Sequence, residues 1–501
     1  MRKFSKTIFS VNFLYIVLIA AQIAAIIFLC LTLPSVLPVA LAFVFVWLLN
    51  AVTACVLFSR NGAPEVKCAW FVFITAVPVA GALIYLFASV KKKNCGEIKV
   101  TAPQDGNALT TENEVLLSLA TAAEINCGTA LAGFEKAEYF AGGTEFFKAV
   151  CREIERAESC VCAEFFIVAR GKIFNEFLEA VKKAKANGAA VKVIVDGLGS
   201  AFRVGRKEIK RLKTAGAEVK IFHRITPLPR ARLNFRDHRK IVTADGKVAF
   251  TGGFNLADEY ANLISPYGYW KDTGVAVYGG AAKVFEGMFL SVWGGGCADG
   301  VNDEKQSSKK CKKCEELTVD IPASGKFFCL PYYDSPPRRG FFEDAVIYAM
   351  SCAKERVYIT TPYFCGSEKV ISALEFAARR GVDVKIILPH IPDKKYAFGL
   401  SKAFAHDILK SGVKVFEFTP GFMHAKCVIC DGVAFLGSYN LDYRSTRFNF
   451  ECGAAFEGKI CEEALRDFGE SLALSAPFKD EKLLPHVRFY RFILRLFAPL
   501  M

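Results

Sequence analysis

Charge, histidine and repetitive sequence are all scarce in this chain of 501 residues. Charged residues make up only 23% of it and hydrophobic residues 52%, which excludes a globally disordered chain. The 38 glycines and 19 prolines follow no period, which excludes collagen-like and low-complexity sequences. Histidine occurs only six times. At about 150 residues per domain, the length predicts roughly three units.

Cysteine is frequent, with 18 residues, but it is scattered through a long chain. A secreted disulfide scaffold would be short and dense in cysteine. We therefore expect free thiols on the reducing side of a membrane. Cys311 and Cys314 lie in a polar stretch with only Cys297 close to them in sequence. A zinc site needs more ligands than these, so we expect no metal.

Three N-terminal runs contain no charged residue, at 8–33, 36–58 and 68–90. Each is long enough to cross a hydrocarbon core, which takes about 20 residues. Basic residues before the first run and after the other two indicate cytoplasmic ends. We expect residues 1–95 to form a membrane segment of two to three helices. The third run, which Pro78 and Gly81 interrupt, is expected to dip into the membrane or lie along it.

The net charge of +14 predicts an anionic partner, either a nucleic acid or an anionic membrane surface. Composition does not choose between the two. The C-terminal stretch 488–497 places arginines three and four residues apart among aromatic and aliphatic residues. This pattern indicates an amphipathic helix, lying in a membrane interface or packed on its own domain.

The chain after residue 95 is predicted to be α/β and duplicated. Apolar strands at 192–196 and 385–388 each follow an amphipathic helix that ends near Gly188 or Gly381. Matching segments recur at an offset of about 190 residues, which predicts two copies of one domain. We place the first half at 96–297, a polar linker at 298–325 and the second half, with the basic tail, at 326–501.

The two copies end in the same pattern of polar residues. The first contains His238, Lys240, Asp245, Gly253 and Asn255, and the second contains His424, Lys426, Asp431, Ser438 and Asn440. Alternation along a strand places the histidine and lysine of each copy on one face. An Asp-Gly pair then predicts a hairpin turn whose second strand returns the asparagine to the histidine.

Residues of these types suit a phosphodiester. Lysine and the asparagine amide donate to phosphate oxygens, and glycine lets backbone N–H groups approach closely. Histidine can act as nucleophile or as acid and base near neutral pH. If two half-sites face each other, one histidine attacks phosphorus while the other protonates the leaving alcohol. The two lysines would stabilise the transition state without a metal.

These repeated residues closely resemble the twin HKD motifs of the phospholipase D superfamily. Nearly the whole chain resembles the bacterial cardiolipin synthases, including the VDGLGS segment at 195–200, the YWKDTGV segment around Asp272 and the TPYF segment at 361–364. The resemblance implies two phospholipase D-like halves with mixed sheets flanked by helices, after a transmembrane helical segment. It further implies that two phosphatidylglycerols become cardiolipin and glycerol through a phosphatidyl-histidine intermediate, without metal or cofactor.

The resemblance also implies a role for each site residue. His238 would be the nucleophile and His424 the acid and base, with Lys240 and Lys426 in the catalytic set. Asp245 and Asp431 belong to the same catalytic motifs and are expected to orient and brace the site. The phosphate-binding positions are Asn255, Asn440, Ser438 and Gly253. Glu451 and Asp272 are expected to hydrogen-bond the histidines from behind.

Other functions with the same motifs stay open at this point. A hydrolytic phospholipase D would use water as the acceptor, and another phosphatidyltransferase would use another alcohol. A phosphodiesterase or nuclease would explain the positive charge but needs no long apolar anchor. We expect phosphatidylglycerol and anionic membrane lipid as partners, and no nucleic acid. The expected location is the bacterial inner membrane, with several membrane passes and the catalytic halves facing the cytoplasm.

Overall fold

The computed structural model describes most of the chain, as two compact units. The described residues are 36–60, 62–88, 98–101, 111–201, 206–224, 234–294, 298–300, 317–321, 325–336, 340–479 and 485–500. One unit comprises 1–93, 225–234 and 492–501, and the other comprises 94–224 and 235–491. The first predicted hydrophobic run, at 8–33, and the cysteines at 311 and 314 lie outside the described residues.

The first unit contains helices α1 (Val36–Ser59), α2 (Pro64–Ala76) and α3 (Ala80–Ala88). The stretch Ala40–Ser59 of α1 is apolar and long enough to cross a membrane, and most of its surface is exposed. No other helix in the described part of the chain meets that test. The sequence predicts several membrane passes, and the described residues contain one candidate span.

The third predicted run is divided between two short helices. α2 has 13 residues and α3 has 9, so each is shorter than the roughly 20 residues of a span. Between them Val79 takes a positive φ of 56°, and Pro78 supplies no backbone N–H to continue α2. The ring of Trp70 in α2 packs against that of Tyr85 in α3 at 5.3 Å between centroids. The break agrees with the expectation that this run does not simply cross the membrane.

The second unit carries both copies of the motif. It begins with β1 (Ile98–Thr101), α4 (Glu114–Cys127) and β2 (Ala132–Phe134). The first half continues with β3 (Lys136–Phe140), α5 (Gly143–Glu155), β4 (Cys160–Phe165), α6 (Lys172–Ala186), β5 (Ala190–Asp196), α7 (Arg206–Thr214), β6 (Glu218–Phe222), β7 (Arg236–Asp237), β8 (Ile241–Ala244), β9 (Val248–Gly252), β10 (Tyr269–Lys271), β11 (Gly274–Tyr278) and α8 (Gly280–Gly294). The strands β12 (Ala298–Gly300) and β13 (Leu317–Asp320) follow.

The second half repeats this order. It contains β14 (Phe327–Asp334), α9 (Phe341–Cys352), β15 (Arg356–Thr360), β16 (Phe364–Cys365), α10 (Glu368–Arg379), β17 (Asp383–Pro389), α11 (Lys395–Ile408), β18 (Lys414–Phe418), β19 (Gly421–Met423), β20 (Cys427–Cys430), β21 (Val433–Gly437), β22 (Leu441–Asp442), α12 (Tyr443–Arg447), β23 (Asn449–Phe456), α13 (Lys459–Ala473) and β24 (Ser475–Pro477). The last described helix is α14 (Pro485–Phe497).

Each half is built on one mixed sheet, and the two sheets have the same strand order. The first runs β12-β6-β5-β4-β8-β9-β11-β3, and the second runs β24-β18-β17-β15-β20-β21-β23-β14, with β2 added beyond β14. In each sheet three strands are parallel and the hairpin strands are antiparallel. The predicted α/β class and duplication are confirmed. Gly188 and Gly381 end their helices at φ values of 96° and 90°, where glycine avoids the strain of a side chain.

The boundaries of the halves differ from the sequence prediction. β2 lies within the range assigned to the first half, but it pairs with β14, and Phe134 stacks on Phe327 at 5.7 Å. The stretch 298–325, predicted to be a linker, contributes β12 to the first sheet and pairs β13 with β1. All three residues of β2 are buried, so the second sheet gains apolar contacts that a local sequence pattern does not reveal.

A buried ion pair also joins the two halves. Lys271 of β10 donates to Asp467 of α13 over 2.5 Å, and Tyr139 of β3 donates to the same carboxylate over 2.8 Å. Both charged side chains are about nine-tenths buried. Because a buried charge without a partner is costly, this pair specifies how the halves align.

Candidate active site

The first motif starts at a short strand that pairs with the other half. β7 runs parallel to β23, with Asp237 opposite Phe450. The N–H of His238 donates to the carbonyl oxygen of Phe450 over 2.9 Å. His238 therefore lies beside Glu451, the next residue of β23.

The second motif repeats this arrangement with the halves reversed. β19 runs parallel to β10, with Met423 opposite Lys271. The N–H of His424 donates to the carbonyl oxygen of Lys271 over 2.7 Å. Asp272 follows Lys271 directly, so it occupies the place beside His424 that Glu451 occupies beside His238.

Each imidazole is thus held by a carboxylate from the opposite half. Nδ1 of His238 lies 2.9 Å from both carboxylate oxygens of Glu451, and Nδ1 of His424 lies 2.5 Å from Oδ2 of Asp272. In a neutral ring Nδ1 must carry the hydrogen to make these bonds, which leaves Nε2 as the nitrogen with a free lone pair. The structure places both predicted carboxylates at their histidines, but only the fold reveals the exchange between halves.

The two lysines are buried ammonium groups. Lys240 and Lys426 are 2% and 3% exposed, and each donates to the carbonyl oxygen of its own motif's histidine. Within the described residues neither ammonium forms an ion pair with a carboxylate. Burial lowers the pKa of Lys240 to about 8 and that of Lys426 to about 7, although Glu451 and Asp272 oppose the shift. Such a pair of cations suits a bound anion.

The same environment disfavours charge on the histidines. Burial and the neighbouring lysines lower the pKa of His238 well below its ordinary value and that of His424 to about 3. Lys426 Nζ lies 2.8 Å from Nδ1 of His424, a contact between two donors that adds to this effect. Both rings are therefore neutral near pH 7 until an anion joins the lysines, since an anion would raise both pKa values.

Alternation of side chains explains the residue between His238 and Lys240. Arg239 points to the opposite face, where its guanidinium donates to Glu164 over 2.8 Å and to Asp237 over 3.2 Å. All of this network is buried. This network fixes the backbone of the first motif on the face opposite to the active site. His238 and Lys240 lie together on the other face.

The two asparagines have different surroundings. Asn255 accepts the N–H of Ile167 over 2.9 Å and donates to the hydroxyl of Tyr260 over 2.6 Å, so much of its amide is already used. The Oδ1 atom of Asn440 is buried and has no hydrogen-bond partner among the described residues. Only the amide N–H groups can donate to phosphate: Asn255 keeps one of them, and the Nδ2 group of Asn440 has no hydrogen bond among the described residues.

Gly253 and Ser438 contact the carboxylates, and their role in phosphate binding stays a prediction. A Cβ at Gly253 would lie 1.9 Å from Oδ1 of Asp272, so only glycine leaves room for that carboxylate. Ser438, the matching residue, donates its hydroxyl to Glu451 and accepts the N–H of Cys452 over 3.0 Å. The sequence difference between the copies therefore follows from the different carboxylates behind them.

Asp245 and Asp431, which belong to the catalytic motifs and are expected to orient and brace the site, form contacts of the bracing kind. Each lies at the far end of its motif's hairpin from the histidine. Asp245 accepts the backbone N–H groups of 158, 159 and 160 over 2.8–3.0 Å, and Asp431 accepts those of 354, 355 and 356 over 2.7–3.0 Å. Both also have positive φ, which aspartate tolerates in such turns. They brace the start of β4 and β15.

Aromatic rings around His424 were missed by the sequence analysis. The ring centroids of Tyr260, Trp270 and Phe422 lie 5.4, 4.9 and 5.7 Å from that of His424. His238 has Phe166 at 5.0 Å. In the sequence, Trp270 lies two positions before Asp272 and Phe422 lies two positions before His424, and this spacing is the signal that could have revealed them. Aromatic faces attract an imidazolium, so the two histidines are not equivalent.

The chemistry of the site residues favours an anion over a metal ion. The two carboxylates are engaged by Nδ1 of the histidines, and two buried ammonium groups would repel a cation. What remains for a ligand is a pair of Nε2 atoms, two ammonium groups and the amide of Asn440. This set matches a phosphodiester that reacts at phosphorus.

Comparisons with known proteins agree with this geometry. Residues 150–265 and 346–472 match the family described as "Cardiolipin synthase, PLD-like domain". An uncharacterised protein of Streptococcus mutans is 35% identical over 86% of this chain and 96% of its own length. The chain belongs to the phospholipase D superfamily, in the cardiolipin synthase family.

Named relatives and a solved structure extend this result. Cardiolipin synthases of Halalkalibacterium halodurans and Listeria welshimeri are each 28% identical, over 89% and 91% of this chain and 91% and 98% of theirs. The crystal structure of phosphatidylserine synthase from Haemophilus influenzae superposes with a TM-score of 0.58 at 14% identity. It covers 77% of this chain and 98% of its own. At that identity the likeness concerns the fold of the superfamily alone.

The bracing role of Asp245 predicts a loss of stability without a loss of chemistry. Asp245→Ala removes three acceptor contacts, as the loss of a helix cap does, and should lower the free energy of unfolding by about 1 kcal/mol. Turnover of the folded enzyme should change less than about threefold, since the hairpin still carries His238. Chemical unfolding and kcat in detergent measure the two effects. Lys240→Ala is the contrast, and equal losses of kcat in both variants would contradict this assignment.

The close contact at Gly253 predicts a loss of activity from one methyl group. Gly253→Ala must displace Asp272 and with it His424, which should lower kcat on the order of a hundredfold. Gly469→Ala in α13 is the matched control, because a Cβ there meets nothing within 4 Å. Turnover close to that of the control would show that the carboxylate does not position the histidine.

Proposed function

We propose that this chain is a cardiolipin synthase that joins two phosphatidylglycerol molecules and releases glycerol. Membership of the family makes it a phosphatidyltransferase. The observation that carries the proposal is the pairing of two carboxylate-bound histidines with two buried ammonium groups that form no ion pair among the described residues. This arrangement suits the transfer of a phosphodiester between two alcohols.

The first step forms a bond from histidine to phosphorus. Nε2 of His238 attacks the phosphorus of one phosphatidylglycerol, and the bond from phosphorus to the glycerol headgroup breaks. An imidazolium at His424 gives its proton to the departing glycerol oxygen. Lys240 and Lys426 offset the negative charge on the phosphate oxygens during the transfer.

The second step reverses these roles. The terminal hydroxyl of a second phosphatidylglycerol attacks phosphorus and gives its proton to His424. The bond from phosphorus to His238 breaks, which releases cardiolipin and restores the free ring. Because one phosphodiester replaces another, no oxidant or metal is required by the balance of atoms and charge.

The difference between the two carboxylates supports His238 as the nucleophile. Burial raises the pKa of Glu451 to about 7, whereas His424 and Lys426 hold that of Asp272 below its ordinary value despite burial. The more strongly ionised Asp272, together with three aromatic rings, stabilises a proton on His424. His238 then stays neutral, as a nucleophile must.

Two features support work at a lipid surface. The apolar, exposed stretch Ala40–Ser59 has the length of a membrane anchor. α14 exposes Phe489, Tyr490 and Phe492 on a helix that also carries arginines. A helix of this kind suits the interface of a membrane that contains anionic lipids. We propose a bacterial inner-membrane enzyme whose catalytic halves face the cytoplasm, where basic residues follow the apolar runs. We propose two membrane passes, α1 and the apolar run at 8–33 that is predicted from the sequence.

The products distinguish this function from its alternatives. The enzyme in detergent micelles with phosphatidylglycerol alone should yield cardiolipin and glycerol in equal amounts, separated by chromatography. His238→Ala and His424→Ala should each lower turnover by at least about a thousandfold, because each removes one of the two reacting groups. His406→Ala, on α11, is the control. Phosphatidic acid as the only lipid product would instead assign a hydrolytic phospholipase D.

The lowered lysine pKa values predict an alkaline limit to activity. A lysine binds phosphate only while protonated, so kcat/KM should fall as pH rises through about 7 to 8, the pKa values of Lys426 and Lys240. A bound phosphodiester raises both values, so kcat should fall at higher pH than kcat/KM does. An alkaline limb of kcat/KM near the ordinary lysine value of about 10.4 would contradict the effect of burial.

A further inference from the structure

Two thiols and a carboxylate converge at one place outside the active site. Cys160 and Cys162 lie two residues apart on β4, and their Sγ atoms are 3.7 Å apart. Glu286 of α8 reaches them, so that one ligand atom from each residue lies within 4.8 Å of the others. Cys162 is fully buried, while Cys160 and Glu286 are partly exposed. A solute could therefore enter from the side of Cys160 and Glu286.

The carboxylate of Glu286 is not used elsewhere. Among the described residues it has no hydrogen-bond or ion-pair partner, although it is partly buried. A Cβ at Gly246 would come within 2.9 Å of its Oε2 atom, which places the carboxylate over the Asp-Gly turn of the first motif. A half-buried carboxylate beside two thiols, with no cation bonded to it, lacks the partner that burial normally demands.

The spacing of the sulfurs fits a shared metal ion. Tetrahedral zinc with bonds of about 2.3 Å to sulfur places two thiolates about 3.8 Å apart, and these sulfurs lie at 3.7 Å. A disulfide fits less well, because Cα atoms two residues apart on a strand are separated by about 6.6 Å, near the upper limit for a bridge. Thiolates select Zn²⁺ and similar soft cations over Mg²⁺ or Ca²⁺.

We propose that Cys160, Cys162 and Glu286 bind a thiophilic divalent cation of the Zn²⁺ type, with water as the fourth ligand. Both thiols release their protons to solvent when the ion binds. Two thiolates and a carboxylate carry three negative charges, and Lys192, which is opposite Cys162 on β5, adds one positive charge. A divalent ion then makes the cluster neutral.

The position of the ion implies a structural role. Asp245 accepts the N–H of Cys160, and the N–H of Asp245 donates to the Cys160 carbonyl over 2.7 Å. A metal at this point ties α8 to β4 directly beside the turn of the first motif. The histidine lies beyond the opposite end of β8, whose four residues alone span about 13 Å, so the ion braces the hairpin without reaching the reacting groups.

Metal titration of the full chain in detergent tests this site. The parent should carry Cys311→Ser and Cys314→Ser, which removes the closely spaced cysteine pair of the polar stretch after the first half. After treatment with a chelator, Cd²⁺ should produce a thiolate-to-metal absorption band that saturates at one ion per chain. Cys160→Ser and Cys162→Ser should each abolish the band or weaken binding by at least roughly tenfold. Cys151→Ser, a partly buried thiol on α5, is the matched control.

Thermal unfolding separates loss of the site from loss of the fold. Zn²⁺ should raise the unfolding midpoint of the parent and of Cys151→Ser but leave that of Cys160→Ser unchanged, since only a site in the folded state stabilises it. Without metal the three proteins should unfold alike. Glu286→Gln should keep the absorption band with weaker binding. A parent that binds no Cd²⁺, or a Cys160→Ser variant that titrates like the parent, would overturn the proposal.

Discussion

The exchange of carboxylates between the halves is the constraint on which the site depends. Glu451 of the second half fixes the ring of His238, and Asp272 of the first half fixes that of His424. Each contact is set by a two- or three-residue strand, β7 or β10, that pairs across the boundary between the halves. Among the described residues, neither motif histidine is held by a carboxylate of its own half. A single copy of the domain would therefore lack the carboxylate that fixes its ring, and the duplication supplies it within one chain. The buried pair of Lys271 and Asp467 also joins the two halves.

Charge balance links this exchange to catalysis. Two buried ammonium groups and two buried carboxylates, when ionised, cancel while both imidazoles are neutral. A phosphodiester adds one negative charge, and the site is neutral again if one imidazole takes up a proton. In the proposed mechanism, substrate binding thus favours formation of the imidazolium that protonates the leaving glycerol. A charged histidine beside two lysines is then not needed before the substrate binds. If each lysine formed an ion pair with a carboxylate of its own, its burial would cost less free energy. Such lysines would, however, attract phosphate less strongly, and the imidazole would not take up its proton when the substrate binds.

The two half-sites differ in a way that suits the two steps of the proposed reaction. In that proposal, the acid and base must hold and release a proton, while the nucleophile must stay neutral. Asp272 with its lowered pKa and the three rings around His424 serve the first need, and Glu451 with its raised pKa serves the second. Gly253 and Ser438 follow the same division, since the shorter aspartate approaches the backbone closely and the longer glutamate is held by a hydroxyl.

The sequence predicts features that depend on neighbouring residues or on the repeat. It does not predict contacts between residues that are far apart in the chain. His238 and Lys240 are predicted to share a face because side chains alternate along a strand, which is a local rule. The second copy of the same pattern makes the motif recognisable. The partner of His238 is 213 residues away, so no spacing could assign Glu451 to it and not to the histidine of its own half. The motif resemblance places Asp245 in the catalytic motif with a bracing role, and the hairpin carries it to the end opposite the histidine. The resemblance places Ser438 at a phosphate-binding position, and packing shows that its hydroxyl donates to Glu451. In each case residue type limits the chemistry that is possible, and the pairing of strands decides which of those contacts forms.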